Sequence, residues 1–148
     1  MFGSHNNHEI TMSYPMRSIR AEGFKLIHNL NYNLPFAIDQ DLYVSPTFQY
    51  ILNRSHHSLP IHWMKKLENY YFRPEWELYL LKSDSIESHN IYDSMKYNQT
   101  TKKLMKKLKK WITLTNDPFI CYPHSVLENT GLYKTRPKCL PLFNHKKH

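Results

Sequence analysis

The sequence predicts an α+β fold: a small antiparallel sheet with one long C-terminal helix packed on it. Three observations carry this. Short alternating segments occur early and in mid-chain, at residues 16–20, 24–28 and 76–81. One long amphipathic stretch follows, from about residue 92 to 115. The 148 residues, 41% hydrophobic and 22% charged, suit a single domain over 1–148 with a real core rather than a disordered chain.

Residues 1–9 are polar, with His5, Asn6, Asn7, His8 and Glu9 together, and are expected to form a loop. A β-hairpin follows. Residues 16–20 alternate, Ala21-Glu22-Gly23 supplies a turn, and residues 24–28 alternate again. Phe24 and Leu26 then share one face, and Lys25 and Ile27 the other. Pro15 suits the start of an edge strand better than a strand interior, because it has no N–H to give to a ladder. Residues 31–41 read as a loop.

Ser45-Pro46 reads as an N-cap followed by proline at the first helical position. Phe48, Ile51 and Leu52 give that helix an apolar face, and it is expected to end near Arg54. A second short helix is expected over 63–71, with Met64, Leu67 and Tyr71 at helical spacing. Residues 76–81 show the clearest strand pattern, and 82–90 a polar connection. In the long helix, Tyr97, Thr101, Leu104, Leu108 and Trp111 recur at three and four residues and form one stripe. Lys102, Lys103, Lys106, Lys109 and Lys110 fall opposite, with Lys107 on the flank. Pro118 closes the region. From Cys121 onward, Pro123, Pro137 and Pro141 leave little periodicity, so an extended strap is expected, with residues 144–148 frayed.

Twenty Lys and Arg against twelve Asp and Glu give a formal charge of +8. Protonating the ten His near pH 5 would bring it close to +18. Anionic partners follow: nucleic acid, anionic lipid, or a sulfated or phosphorylated polymer. Three glycines build no phosphate-cradling loop. No apolar run approaches the length of a membrane span, and the first residues carry neither the basic nor the apolar region of a signal peptide.

The lysine side of the long helix is either a solvated face or a polyanion site. Nucleic acid is not expected there, because Trp111 sits on the apolar stripe rather than among the lysines. His5, His8 and Glu9 could hold a metal on a helix, but Asn6-Asn7 disfavours one, so they read as a solvated loop. His56-His57 and His145…His148 read as exposed polar runs. Cys121 and Cys139 are either one disulfide, worth about 3 kcal/mol for a loop of this size, or two unrelated buried thiols. Asn53-Arg-Ser55 and Asn98-Gln-Thr100 are glycosylation acceptors in a secreted chain, with Asn53 the better placed. No nucleophile–base order and no paired carboxylates in an apolar setting can be assembled, so no catalytic residue is assigned.

The run His8-Glu-Ile-Thr-Met-Ser-Tyr-Pro-Met-Arg-Ser18 resembles the start of the C-terminal region of the sulfamidase group of the sulfatase family. The resemblance continues through Phe24-Lys-Leu-Ile-His-Asn-Leu-Asn31, Ile38-Asp-Gln-Asp41, Tyr43-Val-Ser-Pro-Thr-Phe-Gln49, Trp76-Glu-Leu-Tyr79, Asp117-Pro118, Cys121, Val126-Leu-Glu128 and Cys139, across nearly the whole chain. Of the family's Y-D-L…D-P-x-E-x-x-N stretch, Asp84, Glu87 and Asn90 match, while Leu80 replaces the first Asp and Ser85 the Pro. The stretch reads as a structural strand exit. The lysine-rich helix is more basic than the resemblance leads one to expect.

The resemblance implies lysosomal hydrolysis of the N-sulfate of glucosamine in heparan sulfate, with a formylglycine and a calcium ion in an N-terminal domain outside this chain. Cys121-Tyr-Pro-His-Ser125 is a near miss to the formylglycine signature C-x-P-S-R, with His124 where Ser belongs and Ser125 where Arg belongs. The resemblance instead implies a structural disulfide between Cys121 and Cys139. No catalytic, cofactor-binding or metal-ligating residue is therefore assigned to this chain. His8 and Glu9 are expected to face the substrate pocket, with Arg17 behind them, and Asn53 to carry glycan. The implied partners are the N-terminal domain, a heparan sulfate-type glycan and a second copy in a homodimer. The alternative is a non-catalytic truncated paralogue that at most binds anionic glycans.

Overall fold

Four strands, β1 (Phe2–His8), β2 (Met12–Ala21), β3 (Phe24–Asn29) and β4 (Trp76–Leu80), pair in chain order as an antiparallel sheet. The computed structural model describes residues 1–8, 12–62 and 65–142. Residues 1–105 and 106–148 form two compact units.

The hairpin turn is Glu22-Gly23, both at positive φ (56° and 79°). Two such residues match the twist of the strands they join, and glycine takes one of them without a Cβ penalty. The turn fixes the pairs Ala21 with Phe24, Ile19 with Leu26 and Arg17 with His28. On β4 the register continues as Leu26 with Leu78 and Ile27 with Glu77. Because side chains alternate, one face carries Ile19, Leu26 and Leu78, all buried. The other carries Ser18, Ile27 and Glu77 in one row and Lys25 and Tyr79 in the next. The α+β class and the hairpin faces are as the pattern predicts.

Three expectations are corrected. Residues 1–9 were expected as a loop, yet 2–8 form β1, an edge strand whose backbone bonds are met by β2. The partner strand supplies what local propensity does not. Pro15 lies inside β2, a strand flanked on both sides, not at the start of an edge strand. Its missing N–H costs nothing to the ladder, because the β1 pairing is irregular there: Met16 faces His5 and Ser13 faces Asn7, leaving Tyr14 and Pro15 opposite Asn6 alone. The strap after Cys121 contains a second antiparallel pair, β5 (Ser125–Glu128) with β6 (Lys138–Pro141).

Between β3 and β4 lie three helices, α1 (Gln40–Val44), α2 (Pro46–His56) and α3 (Leu67–Tyr71). Asp39 caps α1, a helix the sequence pattern missed. Ser45 caps α2 through the Phe48 N–H, with Pro46 at N1 as expected. Phe48 and Ile51 are buried, and the helix runs two residues past Arg54. The short helix expected over 63–71 is confined to α3; Trp63 and Met64 lie outside the described residues, as does the tail from 143.

A single 3₁₀ turn, Met95–Tyr97, leads into α4 (Asn98–Leu114), so the α-helix starts later than the sequence pattern suggests. The Tyr97 ring meets Phe24 edge-on at 5.4 Å, and Thr101 and Leu104 are buried. Asn116 at φ 50° ends α4: the Asp117 N–H bonds to Ile112 O and the Asn116 N–H to Thr113 O, and Pro118 follows. In the second unit Cys121 and Cys139 are disulfide-bonded, 18 residues apart, as the resemblance implied.

Replacing both cysteines by serine should lower the stability of the 106–148 unit by about 3 kcal/mol, measured by denaturant unfolding. Protein made in an oxidising compartment should resist alkylation at both positions until a reductant is added.

Candidate functional site

The open polar face of the sheet forms a concavity of about 270 Å³, lined by His5, Ser18, Lys25, Arg73, Glu77 and Glu87 among others. A smaller one of about 160 Å³ adjoins it and shares Lys65, Arg73 and Glu77. β1 approaches closely here: a Cβ at Gly3 would sit 2.9 Å from Ser18 Oγ, a contact the Ser18 side chain can relieve by changing rotamer.

Glu77 is the centre of the face. It is 4% exposed. Its carboxylate accepts from Asn29 Nδ2 at 2.6 Å and from the Tyr79 hydroxyl. Asn29, fully buried, also donates to Pro74 O at 2.7 Å, tying β3 to the entry of β4. Burial, then the hydrogen bond to Glu77 and its charge, push the Tyr79 phenol well above its ordinary range, so it remains a donor. Tyr14 is likewise raised, first by burial, with Arg73 opposing and Glu77 assisting. Arg73 lies 4.5 Å over the Phe36 ring and Lys65 5.4 Å over the Tyr79 ring. Tyr14 OH, Asn29 Oδ1 and Arg73 Nε are buried polar atoms with no hydrogen-bond partner among the described residues. Lys25 closes one rim through both carboxylate oxygens of Glu87 at 2.7 and 2.8 Å.

The strand exit holds this rim. Asp84 accepts from the N–H groups of Ser88 and His89 and from the Ser88 hydroxyl. Burial alone would raise its pKa, but these hydrogen bonds outweigh it and hold the carboxyl below its usual range. Asn90 accepts from Leu78 N–H and donates to Trp76 O, while Ile91 N–H bonds to Leu78 O. Asn90 and Ile91 thus pair with the outer edge of β4 and cover it. Asp84, Glu87 and Asn90 each hold the strand exit, through hydrogen bonds or the ion pair with Lys25.

His8 is the last residue of β1, its backbone paired with Met12. Its side chain and Glu9 lie outside the described residues. Arg17 is 2% exposed and donates to the carbonyls of His5 at 3.1 Å and Met16 at 2.8 Å. Its position in the register places it on the face of Ile19, opposite the polar concavity. Asn53 is exposed near the end of α2, and Asn98, at the start of α4, is exposed as well. Sequence reasoning missed the Asn29–Glu77–Tyr79 cluster. Glu77 and Tyr79 stand two apart on one strand, but no pattern in the sequence pairs them with Asn29.

The sequence comparisons supply the class: the chain matches a C-terminal part of proteins of the sulfatase family. It is 47% identical over 144 residues, 97% of its length, to human N-sulphoglucosamine sulphohydrolase, and covers 28% of that protein. It is 29% identical over 119 residues, 79% of its length, to an ulvan-active sulfatase of Formosa agariphila, covering 21% of it. The chain therefore spans about a quarter of the length of the curated relatives it matches. No family model matches it.

Asn29→Ala should destabilise the fold by about 2 kcal/mol, because it leaves the buried Glu77 carboxylate short of a donor. A double-mutant cycle with Glu77→Gln should return a coupling of about 1 kcal/mol or more by thermal unfolding. A coupling near zero would mean that Glu77 is held by other groups.

Proposed function

We propose that this chain is the C-terminal part of a lysosomal sulfatase that hydrolyses the N-sulfate of glucosamine in heparan sulfate. One observation carries the reading: 47% identity over 97% of the chain to a protein named for that reaction. The chain contributes a wall of the substrate pocket and not the reacting atoms. In the intact family enzyme, formylglycine supplies the nucleophile and calcium the stabilisation of sulfate charge. Both cysteines of this chain are joined to each other, which supports placing the formylglycine outside it. The chain's own residues bind and position.

His8 and Glu9 supply, by residue type, a donor and an acceptor for sugar hydroxyls and sulfate. Arg17 is a positioning residue behind them, fixing the backbone at His5 and Met16. The open polar sheet face, lined by Ser18, Lys25 and Glu87, is suited to cover by the N-terminal domain. A second reading, a non-catalytic chain that binds anionic glycans, is favoured by the six exposed lysines of α4.

The purified chain alone should release no sulfate from N-sulfoglucosamine, with or without calcium, and should do so once joined to a complete sulfatase N-terminal domain. Calcium-dependent release by the chain alone would overturn the reading, and failure of the joined protein would favour the second. In the joined enzyme His8→Ala should change KM or kcat with the melting temperature nearly intact. A lower melting temperature with normal kinetics would assign His8 to a domain interface. In secreted protein, glycopeptide mapping should find Asn53 occupied; occupancy confined to Asn98 would contradict this.

A further inference from the structure

The positive charge of this protein is not spread over it. Residues 106–148 hold nine Lys and Arg against two acidic residues, Asp117 and Glu128, so this unit carries +7 of the chain's +8. Residues 1–105 are nearly neutral, with eleven basic and ten acidic side chains. The densest part is on α4. Lys102, Lys103, Lys106, Lys107, Lys109 and Lys110 are all exposed, while Thr101, Leu104 and Leu108 on the opposite stripe are buried. At 1.5 Å per residue they span about 12 Å of one helix. The helix itself contains no acidic residue. Lys103 is paired with Glu22 at 2.9 Å. Lys102, Lys106, Lys109 and Lys110 take part in no ion pair among the described residues. Mutual repulsion among like charges at helical spacing disfavours this arrangement unless an anion is brought to it.

We propose that the lysine face of α4 is a docking surface for a sulfated polysaccharide chain. The occupant is chosen by charge complementarity and by what the face lacks. It presents no exposed aromatic ring for base stacking, since Trp111 is half-buried on the apolar side, so it does not suit single-stranded nucleic acid. The apolar stripe is already buried, so the helix cannot lay it into a bilayer. Flexible lysines suit sulfates repeated along a polymer, which demand charge density and not the fixed fork of arginine. The polymer's identity as a sulfated glycan rests on the reading under Proposed function. On that reading the surface holds the polymer of which the terminal sugar is the substrate, raising the polymer's local concentration at the protein.

The test is binding of the full chain to heparin at 0.15 M NaCl. Changing Lys102, Lys106, Lys109 and Lys110 together to Gln should weaken binding at least roughly tenfold and flatten its salt dependence. The same change at Arg20, Lys66, Lys82 and Lys96 should leave it within about twofold, which controls for net charge. Circular dichroism of both variants checks folding. In the unaltered chain, heparin should protect the α4 lysines from acetylation, a result that needs no variant. Equal losses in both variants, or no protection on α4, would overturn the docking surface. Tighter binding to phosphatidylserine vesicles or to single-stranded DNA than to heparin would overturn the choice of occupant. Sulfate release is measured separately: its failure with heparin binding intact removes the reaction and leaves the surface, and the converse removes the surface alone.

Discussion

The two-residue turn at Glu22-Gly23 sets the register on which the rest of the sheet depends. With Ala21 opposite Phe24, every second residue of β2 and β3 is committed to a face, and β1 and β4 inherit that commitment through their own pairing. A slip of one residue would exchange Ile19 and Leu26 for Ser18 and Ile27. Each buried leucine on the apolar side contributes about 2 kcal/mol relative to exposure, so the slipped register would be heavily disfavoured. The same slip would bury Lys25 and expose Leu78, which desolvation makes costlier still.

That division leaves a sheet with two unlike faces. The apolar face is held by burial, with the buried Arg17 on it satisfied by the carbonyls of His5 and Met16. The polar face must satisfy the groups it removes from water, and most of its hydrogen bonds gather around Glu77. Asn29 and Tyr79 hold the carboxylate, and the strand exit at Asp84 to Asn90 covers the edge of β4 next to it. Glu87 at φ 56° returns across the face to Lys25. The residues that match the sulfatase stretch are thus those that finish the strand and seal its edge. This explains why Ser85 can stand in the family's proline position: the turn is held by three hydrogen bonds to Asp84.

The chain separates two electrostatic tasks. The polar face balances its charges in pairs and contacts, with Lys25 on Glu87 and Arg73 over Phe36. The α4 lysines remain in water, where an exposed charge has little effect on stability but acts on distant anions within about a Debye length.

The sequence by itself determined the elements whose signals are local. The Ser45-Pro46 cap, the alternation on either side of Glu22-Gly23 and the stripe on α4 all rest on contacts within a few residues, and each is where the pattern places it. The disulfide came from resemblance and not from spacing. Only the tertiary structure decided β1, the interior position of Pro15, the hairpin after Cys121 and the Asn29–Glu77 pair. Strand 2–8 has no apolar alternation of its own and exists because β2 offers it a ladder. Pro15 is accepted because a bulge on β2 removes the bond it could not make. Asn29 and Glu77 are 48 residues apart, with three helices between them, and meet because the β3–β4 register brings them together. These features depend on partners that a local pattern cannot name, and backbone hydrogen bonding carries no side-chain signature by which to find them.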